Sequence, residues 1–158
     1  MACQRAYRIV LATTLLFVAH LPLSLADEGC TEWAARLVSV QGRVEQRKSG
    51  GAAWTQAKTD ARLCPGDALR TGANSRAAVL LQNETLVRLD QLTTVNFPEP
   101  AAQERNFLLD IIDGVGFFFS RTPKRLEFRS PFVNAAVEGT EFLVSVIPNV
   151  VSRVAVFE

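Results

Sequence analysis

Four carboxylates stand at spacings that suggest acid–base chemistry: Asp110 with Asp113, and Glu138 with Glu141. Glycoside hydrolysis uses two such groups flanking one scissile bond. On an extended strand, though, a spacing of three sends the members of each pair to opposite faces. The expectation is therefore solvated charges beside turns, with Glu138 and Glu141 flanking a tight corner. A basic cluster, Arg121, Lys124, Arg125 and Arg129, brackets Thr122-Pro123. Its chemistry suits a phosphate or an anionic envelope polymer, and equally a solvated strand face with its loop. Phe117-Phe118-Phe119 reads either as a strand buried on both sides or as an exposed aromatic patch for a partner. No phosphate-cradling glycine loop, Walker motif or dinucleotide fingerprint is present.

What is missing narrows the chemistry further. The single histidine, His20, lies in the first 26 residues, which have the layout of an export signal. Arg5 and Arg8 form a charged start, Ile9 to Ala19 is apolar, Pro22 breaks the run, and Ser24-Leu25-Ala26 places small residues before Asp27. Cleavage between Ala26 and Asp27 is expected. The apolar run is shorter than the roughly 20 residues that a membrane span needs. The exported part then has no histidine, which excludes histidine triads and starves most transition-metal sites. No cofactor is expected. Removing Arg5 and Arg8 from the 17 Lys/Arg leaves 15 against 16 Asp/Glu, so no net field favours nucleic acid.

Two cysteines remain after processing, Cys30 and Cys64. In an oxidising compartment they point to one disulfide, closing a loop worth about 4 kcal/mol of unfolded-chain entropy. A redox pair would be spaced more tightly and would need a lowered thiol pKa.

Stepping along residues 27–158, the pattern is that of one domain of short strands. Glu32 to Arg36 allows one helical turn around Trp33. Val38, Val40 and Val44 then share a face, with Gly42 marking a bulge, a bend or a close backbone approach. Ala77, Val79 and Leu81 alternate, Gln82 to Thr85 is a polar break, and Val87 and Leu89 resume: a hairpin. Asn83-Glu84-Thr85 is also a glycosylation sequon, which matters only in a eukaryotic secretory pathway. Val95 and Phe97 close a strand before a proline-bearing loop, Phe97 to Arg105. Phe107, Leu109 and Ile111, then Leu126 and Phe128, then Phe142, Val144 and Val146, and finally Val154 and Val156 continue at period two. The fold class is all-β, a solenoid-like roll or a sandwich.

The stretch from Pro65-Gly66-Asp67 through Leu69-Arg70-Thr71-Gly72 to Ser75-Arg76-Ala77 resembles the P-G-D-x-L-R-T-G-x-x-S-R-A motif of FecR-type domains. Val137-Glu138-Gly139-Thr140-Glu141-Phe142 is similar to their V-x-G-T-E-F segment, and Ser130-Pro131 stands where the family has Thr-Pro. The resemblance covers most of residues 35 to 158. It implies a periplasmic all-β module whose Gly66, Gly72, Gly114 and Gly139 sit at corners, with Thr140 tying its hydroxyl to neighbouring backbone. Where family regulators carry a cytoplasmic anti-sigma segment and a membrane helix, only an export signal is expected here.

The family pattern also runs on past Val154–Phe157, so the expectation is a roll cut short at its C-terminal end, with an exposed strand edge there. Taken together, these readings predict a non-catalytic periplasmic module. It binds a protein or a cell-envelope ligand, with no nucleic acid and no stable membrane span after signal cleavage, and its last strand either self-associates or takes a partner that supplies the missing strand. The alternatives are a carboxylate-dependent enzyme acting on an envelope polymer, or a structural piece of a longer exported protein.

Overall fold

The computed structural model describes residues 30–99 and 107–157. The period-two runs become β1 (Ala35–Gln41), β2 (Val44–Arg47), β6 (Arg76–Leu81), β7 (Leu86–Leu89) and β8 (Thr94–Asn96), and the motif stretch between the turns at 65–67 and 71–74 forms β5 (Ala68–Thr71). Two-residue strands β3 (Thr55–Gln56) and β4 (Arg62–Leu63) lie between β2 and β5. Three longer strands follow: β9 (Phe107–Arg129), β10 (Asn134–Ile147) and β11 (Val151–Phe157). All pair antiparallel in one curled sheet that forms a half-barrel. None of the described helical signals survives: residues 31–34 only bend before β1 begins at Ala35, because Ala35 and Arg36 are already paired to β4 and β6.

The short strands are halves of longer, bent passes. β1 and β2 are separated by Gly42-Arg43, β5 and β6 by residues 72–75, and β7 and β8 by residues 90–93. β1 pairs with β6 while β2 pairs with β5; β5 pairs with β8 while β6 pairs with β7. β9 then runs alongside both β7 and β8. The bends therefore stack beside one another, and there the backbone donors that leave the ladder find their partners.

At the first bend, Arg43 N–H donates to Ser75 Oγ at 2.8 Å and Gly72 N–H donates to the Arg43 carbonyl at 2.8 Å. At the next, Thr71 donates its hydroxyl to the Asp90 carbonyl, and Thr93 N–H donates to Thr71 Oγ1 at 2.9 Å. Val115 N–H then donates to Thr93 Oγ1 at 3.0 Å. Gly114, with φ 94°, lies within β9 against this last step, and a Cβ there would come within 2.5 Å of the Thr93 Cα. Only glycine accepts both that φ and that approach.

The open end of the roll is closed by the 64–67 crossing. Cys64 is joined to Cys30 with Cα atoms 5.7 Å apart. Asp67 is buried, yet its carboxylate is fully engaged. Cys64 N–H and Ser49 N–H each donate to it at 2.9 Å, and Lys48 Nζ donates at 3.2 Å. Gly66 N–H donates to the Phe97 carbonyl, and Phe97 N–H returns to the Asp67 carbonyl. The Pro-Gly-Asp turn thus ties three segments that are remote in sequence.

Inside the curl, Leu37, Val44, Leu69, Val79, Val87, Val95, Ile111, Phe118 and Val144 form one buried cluster. Phe118 and Phe142 stack at 4.4 Å between centroids, and Phe128 lies 6.4 Å from Phe142. β9 curves enough for Arg129, near its end, to grip Asp110, near its start, through Nε at 2.7 Å and Nη2 at 3.0 Å.

Bulges revise several face assignments. The β1–β6 register shifts between Leu37 and Ser39, so Leu37 enters the core with Val40 packed against it, and Val38 does not share their face. A shift in β9 between Ile111 and Asp113 moves the inward set from Leu109 and Ile111 to Gly116 and Phe118. A shift in β10 between Gly139 and Glu141 moves it from Val137 to Phe142, Val144 and Val146. Each shift reverses the two-residue alternation, so Asp110 and Asp113 share the outer face, as do Glu138 and Glu141. Phe118 alone of its trio is buried; Phe117 and Phe119 are half-buried on the outer face, with the Arg88 guanidinium 4.9 Å from the Phe119 ring.

Two predictions follow from the stacked bends and the crossing. Thr93→Val, which keeps the shape but removes the hydroxyl, should cost about 1–3 kcal/mol in chemical denaturation, and Thr93→Ser should recover most of it. Reducing the Cys30–Cys64 bond should lower stability by about 2–4 kcal/mol, read as a loss in melting temperature of the wild type that a Cys30→Ser, Cys64→Ser double variant does not show.

Candidate interaction edge

The residues singled out by sequence divide into those that build the fold and those left at the surface. Cys30, Cys64, Pro65, Gly66 and Asp67 form the crossing, and Thr71 and Gly72 form the stacked bends. Gly72 does so with φ in the ordinary negative range, serving as a backbone donor. Gly139, Thr140, Glu141 and Phe142 are not at a corner: they lie inside β10, where residues 120–123 of β9 face Thr140 alone. Ala26 and Asp27 lie outside the described residues, as do residues 100–105 of the expected proline-bearing loop.

The carboxylates offer no converging pair. Asp110 is held by Arg129 in the two-pronged contact, which also takes Arg129 out of the expected anion cluster. Glu138 is exposed and stands opposite Arg125 in the β9–β10 register, whereas Glu141 stands opposite Phe119 and Phe157. The side chains of residues 122–125 lie outside the described set. Among the described residues no group of His, Cys, Asp and Glu is placed to hold a metal ion. No helix among them is long and apolar enough to cross a membrane.

A charged surface that the sequence reading missed lies over β2 and β5. Arg70 and Arg47 stand 4.3 and 5.0 Å from the Trp54 ring centroid, and Arg70 Nε meets Glu45 Oε2 at 2.8 Å. Arg43 holds the other Glu45 oxygen at 3.0 Å. The signal was available in part: alternation along β2 puts Glu45 and Arg47 on one face. The two hydrogen bonds, from Arg70 foremost and then Arg43, hold the Glu45 carboxyl below its ordinary 4.5. In this arrangement Trp54 pins the loop after β2 to the sheet.

The C-terminal edge is different. β11 pairs along its length with β10, from Glu141 opposite Phe157 to Ile147 opposite Val151. Among the described residues it has no strand on its other side. Val156 stands opposite Phe142 and Val154 opposite Val144, so both valines continue the core-facing side of β10. They are nevertheless 57% and 37% exposed, with Phe157 at 44% on the other face. At the opposite edge, β3 and β4 are two residues long, and Thr55, Gln56 and Arg62 are exposed there. Short polar edges resist strand addition, and long apolar ones invite it. On β11, Arg153 is the one charge among the described residues.

The lowered Glu45 pKa carries a sign. A carboxyl more acidic when folded adds stability above its unfolded value and loses it as pH falls through the folded one. Glu45→Gln should therefore melt below the wild type at any pH above 4.5, and the gap should close on acidification below that value. Thermal melts of both proteins from neutral to strongly acidic pH check this.

The family model described as FecR protein matches residues 67–158. No curated protein and no solved structure matches the chain. The match spans the Asp67 turn, the bends at Thr71 and Thr93, the curved β9 and the whole β10–β11 hairpin. FecR domains are sensing and regulatory, envelope-associated modules that mediate protein interactions. The motif residues and the all-β half-barrel agree with that match over more than half of the sequence, and the chain belongs to the FecR family.

Proposed function

We propose that this chain is a non-catalytic sensing module, exported to the periplasm, that recognises a protein or cell-envelope ligand by accepting it at the open edge of β11. The observation that carries this reading is the pairing of β11 on one side only, with core-facing Val154 and Val156 left in solvent. An extended segment laid against that edge would satisfy its backbone groups and cover both valines, giving affinity from main-chain hydrogen bonds and selectivity from alternate side chains. The polar groups of the motif and the bends support the same reading from the other side, since Asp67, Thr71 and the bend residue Thr93 are spent on the fold rather than presented to a substrate.

Export rests on the signal layout of residues 1–26, and the Cys30–Cys64 bond fits an oxidising compartment. Intact-mass measurement of the exported protein should show loss of residues 1–26, with Asp27 at the new terminus. Retention of that segment in a membrane fraction would overturn the export reading.

The edge is tested with the exported protein as bait in an envelope extract. A photo-crosslinker at Val156 should capture a partner that the same group at Leu92, exposed on a distant bend, does not. Val156→Lys should lower capture at least tenfold while leaving the melting temperature within a few degrees, because the added charge faces solvent in the free protein. Equal capture from both positions would sink the reading.

A further inference from the structure

The edge that the proposed function invokes also has a chemistry of its own, and it is self-complementary. Two copies of β11 meeting edge to edge about a twofold axis perpendicular to the sheet run antiparallel, and the axis keeps inner faces with inner faces and outer with outer. Only registers centred on a residue satisfy that alternation. A register centred on Arg153 sets two guanidiniums opposite each other, which is destabilising. One centred on Val154 sets Ser152 against Val156 and Arg153 against Ala155.

Centred on Ala155, the oppositions within residues 153–157 are all favourable. Val154 of each copy faces Val156 of the other on the inner side, and Arg153 of each faces Phe157 of the other on the outer side. The axis passes between two alanines, whose small side chains let the strands meet. The valines gather into one apolar patch that adjoins Phe142 and Val144 and extends each core across the junction. The Arg153–Phe157 oppositions would be cation–π pairs, so Arg153, the one charge of β11 among the described residues, would become attractive toward a second copy.

We infer that the first occupant of the β11 edge is a second copy of this chain, paired antiparallel in the register centred on Ala155. The inference rests on the edge being an interaction surface, and it names the partner. It makes the edge a competitive switch: an external strand displaces the second copy, and the oligomeric state reports ligand.

The test uses the exported protein. Sedimentation across a wide concentration range should show a monomer–dimer equilibrium, which Val156→Lys shifts at least tenfold toward monomer. Ala155→Cys places two thiols across the axis at cross-strand distance, so mild oxidation should yield a covalent dimer on non-reducing gels. Arg153→Cys, which faces Phe157 in this register, should yield far less. A protein monomeric at every concentration overturns the inference, and so does a dimer that Arg153→Cys traps as readily as Ala155→Cys. If a monomer still captures an envelope protein at Val156, self-pairing falls and the edge reading stands. If it captures nothing, both fall.

Discussion

A sheet whose strands all bend at the same level faces one constraint before any other. Where the backbone turns out of its ladder, its amide groups lose their partners, and leaving them buried and unpaired costs about 1–3 kcal/mol each. Here the bends are stacked so that each supplies what the next one lacks. Ser75 serves Arg43, Thr71 serves Thr93, and Thr93 serves Val115. The hydroxyls stand in for ladder carbonyls at the points where the ladder is broken. Gly114 matters because the last bend has to come close to the next strand for Thr93 to reach Val115 at all.

Once the bends are stacked, the rest of the architecture is constrained. Each pass doubles back over the same apolar interior, so short strands suffice to enclose a core that reaches from Leu37 to Val146. The two ends of a pass are brought close enough for residues 64–67 to cross between them, and the Asp67 carboxylate gathers the orphan donors of that crossing. β9 must then follow the curl, and the Arg129–Asp110 contact fastens its end to its beginning while Phe128 reaches the Phe118–Phe142 stack.

Among the described residues the meander does not close on itself, which leaves two edges, and the two are treated unequally. β3 and β4 are too short and too polar to template another strand. β11 is long, regular and apolar on the face that continues the core. Stability alone gives no reason for that asymmetry, since exposed valines on an open edge favour aggregation. A surface meant for pairing gives one. This is why the proposed interaction role rests on the sheet edge itself.

The sequence by itself determined the elements and their chemistry. Alternation located most of the strands, though not the two-residue β3 and β4 or the four-residue β5; the turn residues marked the bends and hairpins, two cysteines without competitors paired, and the Pro-Gly-Asp and Gly-Thr-Glu segments pointed to the family. It also placed Val154 and Val156 on a final edge. What it could not supply was face, because a strand's two-residue period carries no memory across a bulge. The shifts at Leu37/Ser39, Ile111/Asp113 and Gly139/Glu141 are set by partner strands remote in sequence. They decide that Phe118 rather than Phe117 and Phe119 is buried, and that each carboxylate pair shares one face. The helical turn at Glu32–Arg36 was lost for a similar reason: local propensity is worth less than the hydrogen bonds that Ala35 and Arg36 make with strands on both sides. Only the tertiary structure decided which backbone groups were left over, and those leftovers, satisfied at the bends and open at β11, separate what holds this protein together from what it can bind.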